Sequence, residues 1–307
     1  MENYIVQLKE ILSAGAFSQS KLAQRLGVTY AALSRWIHGY AKPHPRRIQA
    51  IQKLHREIVG YPAMTDRELS QIARSSGALR RKTLWRGIAS HQQLQDELLL
   101  EHTYNSTSIE GTTFTKRETE VILFSKGLFP DKSLAEHLEV TNHAAVLRGI
   151  FQKKYAGPVS EKFIRQLHAD LMQGLREDAG DYSRHRRVIR GVHMALTHPK
   201  DIPEEMARLV RTWKKASTKT IREIGEFHVR FELIHPFGDG NGRVGRLVMA
   251  FQCLEEGYPP VVIENARKAE YYDVLEYAQR KSEGPFIRFL ADEMQKTARL
   301  IKKYLKK

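Results

Sequence analysis

The sequence predicts a mainly α protein, with a small helical domain at the N-terminus and a larger one behind it. Three observations carry this. Apolar residues recur at three- and four-residue spacing along almost the whole chain. Ser and Thr stand repeatedly where helices would start, often with Glu three residues later. The period breaks clearly in one stretch, residues 182–202, where Val188, Ile189, Val192 and Met194 around Gly191 suit two short strands.

At 307 residues, 41% of them hydrophobic, the chain is long enough for more than one core. Its longest apolar run, near Leu247 to Leu254, is too short to span a bilayer, and the start Met-Glu-Asn-Tyr does not read as a signal peptide. One cysteine, Cys253, excludes an intrachain disulfide and a cysteine zinc cluster. A soluble cytoplasmic protein is expected. The net charge of +15 sits at the two ends. Residues 1–90 hold fifteen Lys and Arg against five Asp and Glu, and the tail from Gln295 holds six Lys and Arg with no acid. Basic ends point to an acidic partner, nucleic acid first. Two solvated faces are the plainer alternative.

Residues 1–60 read as helix throughout. Ile5, Leu8, Ile11 and Leu12 share one face. Ser18 is placed to cap a second helix that Gly27 ends, and Thr29 to cap a third, from Tyr30 to His38. A short helix, a glycine turn and a second helix are the parts of a helix-turn-helix. The stretch K-L-A-Q-R-L-G-V-T-Y-A-A-L-S-R-W-I-H-G resembles the repressor type (Cro/C1-like). That resemblance implies DNA contacts from Thr29, Tyr30, Ala31, Ser34 and Arg35 on the recognition helix, with Lys42, Arg46 and Arg47 on phosphates. Leu33, Trp36 and Ile37 belong to the core. A helical module that docks on protein instead remains open. Residues 61–90 read as a connector without an assigned job.

Further along, Leu94 to Ile109 is helical and Gly111 suits its C-cap. Capping boxes at Thr115/Glu118 and Ser133/Glu136 open two helices, expected to end near Gly127 and Gly157. Another follows Ser160, with Leu167, Leu171 and Leu175 on its stripe. His168 beside that stripe is expected to be a hydrogen-bonded core residue. Pro203 suits the first turn of the next helix. The one after it, through Ile221, Ile224, Phe227 and Phe231, delivers His235, with His228 as a core support.

The chemistry gathers at Ile234 to Arg246, I-H-P-F-G-D-G-N-G-R-V-G-R. His235 is a candidate base, since imidazole titrates near neutrality. Asp239 is a hard oxygen ligand suited to Mg²⁺. Gly240, Asn241 and Gly242 let backbone N–H groups approach an anion. Arg243 and Arg246 share a face if a helix starts near Asn241, just inside its positive end. A Gly-rich turn before a basic helix is the bland alternative. His185, His193 and His198 also crowd residues 182–202, but their spacing matches no standard metal pattern.

This stretch resembles the signature H-P-F-x-D/E-G-N-G-R-x-x-R of the Fic (Fic/Doc) family at every specified position. The resemblance implies an all-helical Fic domain over 91–307 with a β-hairpin flap at about 182–202. It implies transfer of AMP from ATP to a protein hydroxyl, with His235 as base and Mg²⁺ held by Asp239. Phe237, Gly240, Asn241, Gly242, Arg243 and Arg246 would contact the nucleotide. So would the flap backbone at Val188, Ile189, Arg190 and Gly191, and Tyr271, Tyr272 and Gln279 from the segment that closes over adenosine, with core packing the alternative for one of the two tyrosines. The family often has Asn where Gln279 stands, which leaves that contact in doubt. Ser106-x-x-x-Glu110-Gly111 fits the family's inhibitory motif, on a helix of about 94–111. There Glu110 would pair with Arg246 and deny it to the ATP γ-phosphate, since one guanidinium is not bidentate to two anions at once. Expected partners are a target protein bearing a Ser, Thr or Tyr hydroxyl, DNA, and a second copy of the chain. Self-modification, removal of AMP by the same site, and a nucleotide-sensing DNA-binding regulator stay open. A Doc-like kinase fits less well, because Doc-type signatures carry Lys at the position of Gly242.

Overall fold

The computed structural model describes residues 3–60, 67–68, 81–155, 157–187, 195–217 and 219–305. The chain divides into two compact units, Met1–Ala63 and Met64–Lys307. All the regular elements among the described residues are helices, and none is long and apolar enough to cross a membrane.

The first unit contains α1 (Asn3–Ser13), α2 (Gln19–Arg25), α3 (Tyr30–Ile37) and α4 (Pro45–Ile58). Ser18 Oγ accepts the Lys21 N–H and Thr29 Oγ1 the Ala32 N–H, so the expected caps start α2 and α3. Leu8, Ile11, Leu22, Leu33, Trp36, Ile37 and Ile51 close one small core. Burying them is what holds helices this short, which would be marginal alone.

The second unit opens with α5 (Arg81–Ser90). Its Leu84, Trp85 and Ile88 are buried, and Trp85 Nε1 donates to the Phe151 carbonyl at 2.9 Å. The expected connector thus ends before residue 81, and α5 is core. α6 (Gln92–Glu110) follows, closed by Gly111 at φ 117°. α7 (Lys116–Ser125) and α8 (Leu134–Phe151) each start with a complete capping box. α8 stops six residues short of Gly157. α9 (Glu161–Leu171) ends before Leu175. Then come α10 (Ile202–Lys215), α11 (Ile221–Ile234), α12 (Asn241–Glu256), α13 (Lys268–Arg280) and α14 (Gly284–Leu305).

α12 is the hub of this unit. It packs on α5, α6, α8, α9 and α11, and nearly all of its side chains are buried. That explains its weak polar/apolar contrast: a helix covered on every side needs no solvent face. The basic tail helix α14 docks as well, with Phe286, Phe289, Leu290, Met294 and Ile301 buried. Its lysines occupy the outer stripe.

The flap residues 188–194 lie outside the described residues, and with them the expected strands and the contacts of Val188, Ile189, Arg190 and Gly191. The flanks 184–187 and 195–198 carry no strand. Both are tied to the loop at residue 235. Ser183 N–H donates to the Pro236 carbonyl at 2.8 Å and Thr197 N–H to that of Leu233 at 3.1 Å.

Candidate active site

The site is the turn between α11 and α12. α11 ends at His235, which holds a left-handed conformation (φ 49°, ψ 59°) unusual for a side chain of this size. The strain is held by a clamp from Arg187, a residue that reads in the sequence as one more cation of a basic run. Arg187 donates to the carbonyls of Ile234, His235 and Thr197 at 2.8, 2.8 and 3.0 Å. Those of Ile234 and His235 are open carbonyls of a helix C-terminus, which a cation satisfies well.

The rest of the loop is locked from inside. Asn241 is 2% exposed, and its side chain accepts the Phe237 N–H and donates to the Phe237 carbonyl, both at 2.8 Å. Phe237 is fully buried and stacks on His168, centroids 3.8 Å apart. His168 Nδ1 accepts the Gly180 N–H at 2.8 Å, so Nε2 carries the proton it gives to the Asp239 carbonyl at 3.1 Å. Burial pushes this imidazole down to about 4, which keeps it neutral. Phe237 and Asn241 therefore shape the loop from within, and His168 is the core residue expected. Gly240 has φ 75°, and a Cβ there would also meet Met172 Sδ at 2.8 Å.

No side chain caps α12, so its first N–H groups are left for another acceptor. Asp239 lies beside that end with its side chain 56% exposed. Its Oδ1 accepts the Gly240 N–H at 2.6 Å, while Oδ2 has no protein partner among the described residues. One hard, accessible oxygen fits Mg²⁺ when phosphates and water complete the shell. No group of three His, Cys, Asp or Glu converges among the described residues, so the protein's share would be that one ligand.

The two arginines are 2% exposed and each meets a carboxylate. Arg246 donates from Nε to Ser106 Oγ (2.9 Å) and from Nη2 to the Ser106 carbonyl (2.9 Å) and Glu110 Oε1 (2.6 Å). Burial works against its charge, but Glu110 holds it protonated. Ser106 and Glu110, one turn apart on α6, thus grip one guanidinium. Gly242 explains how Glu110 gets in: a Cβ there would stand 2.2 Å from Glu110 Oε1. Arg243 Nη1 lies 3.0 Å from Glu139 Oε1, and Nη2 lies 3.5 Å from Asp239 Oδ1. Glu139, on α8, was not singled out from the sequence. Only its position opposite α12 gives it away. Burial raises its carboxyl pKa, against the pull of Arg243.

His235 is 14% exposed, and burial pushes its pKa down to about 4. It is neutral at pH 7 and able to accept a proton. Of the expected adenosine contacts, Tyr271 is instead core: it is 1% exposed, and its hydroxyl lies 2.8 Å from His228 Nε2. Tyr272 remains partly exposed. Gln279 donates to the Ala195 carbonyl at 3.0 Å, tying α13 to the flap's flank.

In the first unit Thr29, Tyr30, Ala31, Arg35, Lys42 and Arg46 are exposed and Ser34 is half-buried. Arg47 differs. Its Nη1 donates to the Leu26 carbonyl at 2.5 Å, closing the end of α2.

Comparison with known proteins agrees with this division. Residues 158–253 match the Fic/DOC family and residues 8–55 a helix-turn-helix family. The chain is 31% identical over 236 residues to protein adenylyltransferase Fic of Drosophila melanogaster, covering 75% of this chain and 45% of that protein. It is 27% identical over 261 residues to the Drosophila mojavensis protein of the same name, covering 83% and 51%. The chain therefore spans about half the length of these curated relatives. Among solved structures, a Fic domain containing signaling protein from Bacteroides thetaiotaomicron is 27% identical, with a TM-score of 0.63 over 78% of this chain and 97% of that one. A Fic-1 fragment from C. elegans, 23% identical, shares the fold with a TM-score of 0.62 over 98% of each chain. The chain carries a Fic/DOC family domain behind an N-terminal helix-turn-helix domain.

Proposed function

We propose that this chain transfers AMP from ATP to a hydroxyl side chain of a target protein. The observation that carries the reading is the uncapped N-terminus of α12, set directly after a buried neutral histidine and a free carboxylate oxygen. In this reading the amides of Asn241, Gly242 and Arg243 hold the phosphates. Arg243 stabilises charge as the α-phosphorus is attacked. His235 accepts the proton of the incoming hydroxyl, and pyrophosphate leaves. Mg²⁺ bound at Asp239 would neutralise phosphate charge. The adenylyltransferase relatives support ATP as substrate and a protein as acceptor.

The resting enzyme is autoinhibited in this reading. Glu110 and Ser106 occupy the donors of Arg246 that a γ-phosphate would need. Freed of that grip, the enzyme also modifies itself. The first unit holds DNA through the exposed cations around α3. The reading includes a homodimer, with the exposed apolar side chains Leu128 (79%), Leu134 (74%) and Phe124 (41%) as candidates for its interface.

The test is intact-mass analysis of Glu110→Gly incubated with Mg-ATP and host lysate. AMP-sized additions to lysate proteins and to the chain itself are expected. They should be few with wild type and absent with Glu110→Gly/His235→Ala. Phosphate-sized additions, or labelling that survives loss of His235, would overturn the assignment.

A further inference from the structure

Behind His235 the structure buries a carboxyl that the transfer reaction, as stated so far, does not use. Glu232 lies one turn earlier on α11 and is 3% exposed. Its Oε2 is 3.8 Å from His235 Nδ1, and its Oε1 is 3.7 Å from His228 Nε2. Glu232 Oε1 and His235 Nδ1 are both buried without a hydrogen-bond partner. Unsatisfied buried polar atoms are rare in folded proteins, and one on each of two neighbouring groups calls for a reason. The space is provided for. On α12, a Cβ at Gly245 would stand 2.6 Å from Glu232 Oε1 and 3.1 Å from His228 Cε1, so only glycine leaves the carboxyl its place. His228 in turn meets the Tyr271 hydroxyl at 2.8 Å. A buried polar file thus runs from α13 through His228 and Glu232 to the candidate base.

We infer that Glu232 is a positioning residue for AMP transfer: its carboxyl receives the Nδ1 proton side of His235, fixes the tautomer with Nε2 free, and balances the imidazolium formed as the target hydroxyl attacks. The inference rests on the proposed transferase reading. The hydroxyl oxygen bonds to the α-phosphorus, and the bond to the β-phosphate oxygen breaks with its electron pair leaving on pyrophosphate. The hydroxyl proton moves to Nε2, while Nδ1–H stays hydrogen-bonded to Glu232. At 3.8 Å the contact is longer than a hydrogen bond, as catalytic contacts often are before substrate closes the site. The need for such a partner is physical. A histidine this buried is a weak base, and a fixed negative neighbour strengthens it only when it becomes charged.

Glu232 itself is pushed up to about 8 by burial, with Arg246 pulling it down and Glu110 pushing it further up. The other charged or titratable groups that act on the pair are Arg187 and Asp239 on His235, and His228, Tyr271 and Tyr272 around Glu232. Ionisation of Glu232 should therefore show as activity that rises with pH on the alkaline side of neutrality. Removing Glu110 shifts that rise toward lower pH.

The experiment compares Glu110→Gly with Glu110→Gly/Glu232→Gln, using α-³²P-labelled ATP, Mg²⁺ and host lysate as acceptor. The glutamine variant should lower apparent kcat by about tenfold or more, leave the apparent KM for ATP unchanged, and lose the alkaline rise. A second measurement covers the case where glutamine disturbs the fold. ¹⁵N NMR of wild-type histidines, with His235 assigned by difference from His235→Ala, should show Nδ1 protonated at neutral pH. An unprotonated Nδ1, or a glutamine variant with the parent's kcat and pH profile, would overturn the role of Glu232 while AMP transfer stands. A parent that labels nothing at all would overturn both.

Discussion

The two units of this chain use positive charge in opposite ways. In the first unit the cations around α3, Arg35, Lys42 and Arg46, stand exposed with no acidic residue between Glu10 and Glu57. In the second, Arg243 and Arg246 are 2% exposed, each against a carboxylate from another helix. A surface that tracks a polyanion needs charge in solvent, where each cation releases counterions on binding and costs nothing to fold. A site that stabilises charge on one phosphorus needs rigid donors in a dry environment. Burying a guanidinium without a partner is prohibitive, so Arg246 and Arg243 come with Glu110 and Glu139. In the proposed reading Glu110, the partner of a buried guanidinium, competes with substrate for the donors of Arg246.

The comparison breaks most visibly in acid. His102, His168, His228 and His235 of the second unit are held by burial at about 3, 4, 3 and 4. Their folded values lie below the unfolded value of about 6.5, so the folded state prefers them neutral and the unfolded state binds more protons. Their contribution is complete above about pH 6.5 and is lost as the pH falls toward 3–4, together on the order of several kcal/mol. Urea unfolding of the second unit, followed by tryptophan fluorescence at pH 7.5 and pH 5, should give a clearly lower midpoint at pH 5. An unchanged midpoint would mean these histidines are not held neutral.

Glu139→Ala should come next in size. It strips Arg243 of its closest carboxylate and should destabilise the second unit by about 2–3 kcal/mol, discounted because Glu139 is partly exposed. AMP transfer should fall with it. Denaturant unfolding compared with Glu139→Gln, which keeps a hydrogen-bond acceptor, separates charge from shape.

The smallest effect on folding belongs to Arg35→Ala, expected within about 0.5 kcal/mol of wild type. If Arg35 meets a phosphate, the log–log salt slope of binding to a fluorescein-labelled duplex should drop by about one. An unchanged slope, or loss of AMP transfer, would contradict the separation of the two units' charges.

Much of this was legible before any coordinates. The caps at Ser18, Thr29, Thr115, Ser133 and Ser160 are local chemistry, and each starts the helix expected of it. His168 and His228 sat on apolar stripes and are core. The residues that escaped notice act across long sequence distance. Arg187 looks like one more cation in a basic run, yet it clamps α11 47 positions away. Glu139 looks like a solvent-side acid on α8. Glu232 looks like an ordinary acid in an amphipathic helix until the missing Cβ of Gly245 seats it in the core. Tyr271 and Tyr272 are adjacent and read alike, and packing alone divides them into a core residue and a partly exposed one.

The chain's local chemistry thus determined where helices begin, in which stretch the reactive residue types gather, and that the N-terminal helices form a module of their own. Those properties depend on neighbours within a turn or two, where side-chain spacing is already spatial spacing. Which carboxylate meets which arginine was decided by the packing of α6 and α8 onto α12. The spacing S-x-x-x-E by itself marks only a face of α6; it is the resemblance to the Fic family that names Arg246 as the residue this face meets. Only the crossing of helices more than a hundred residues apart brought Ser106 and Glu110 onto Arg246. Burial there turned an ordinary surface pairing into a guanidinium that depends on its carboxylate for its charge.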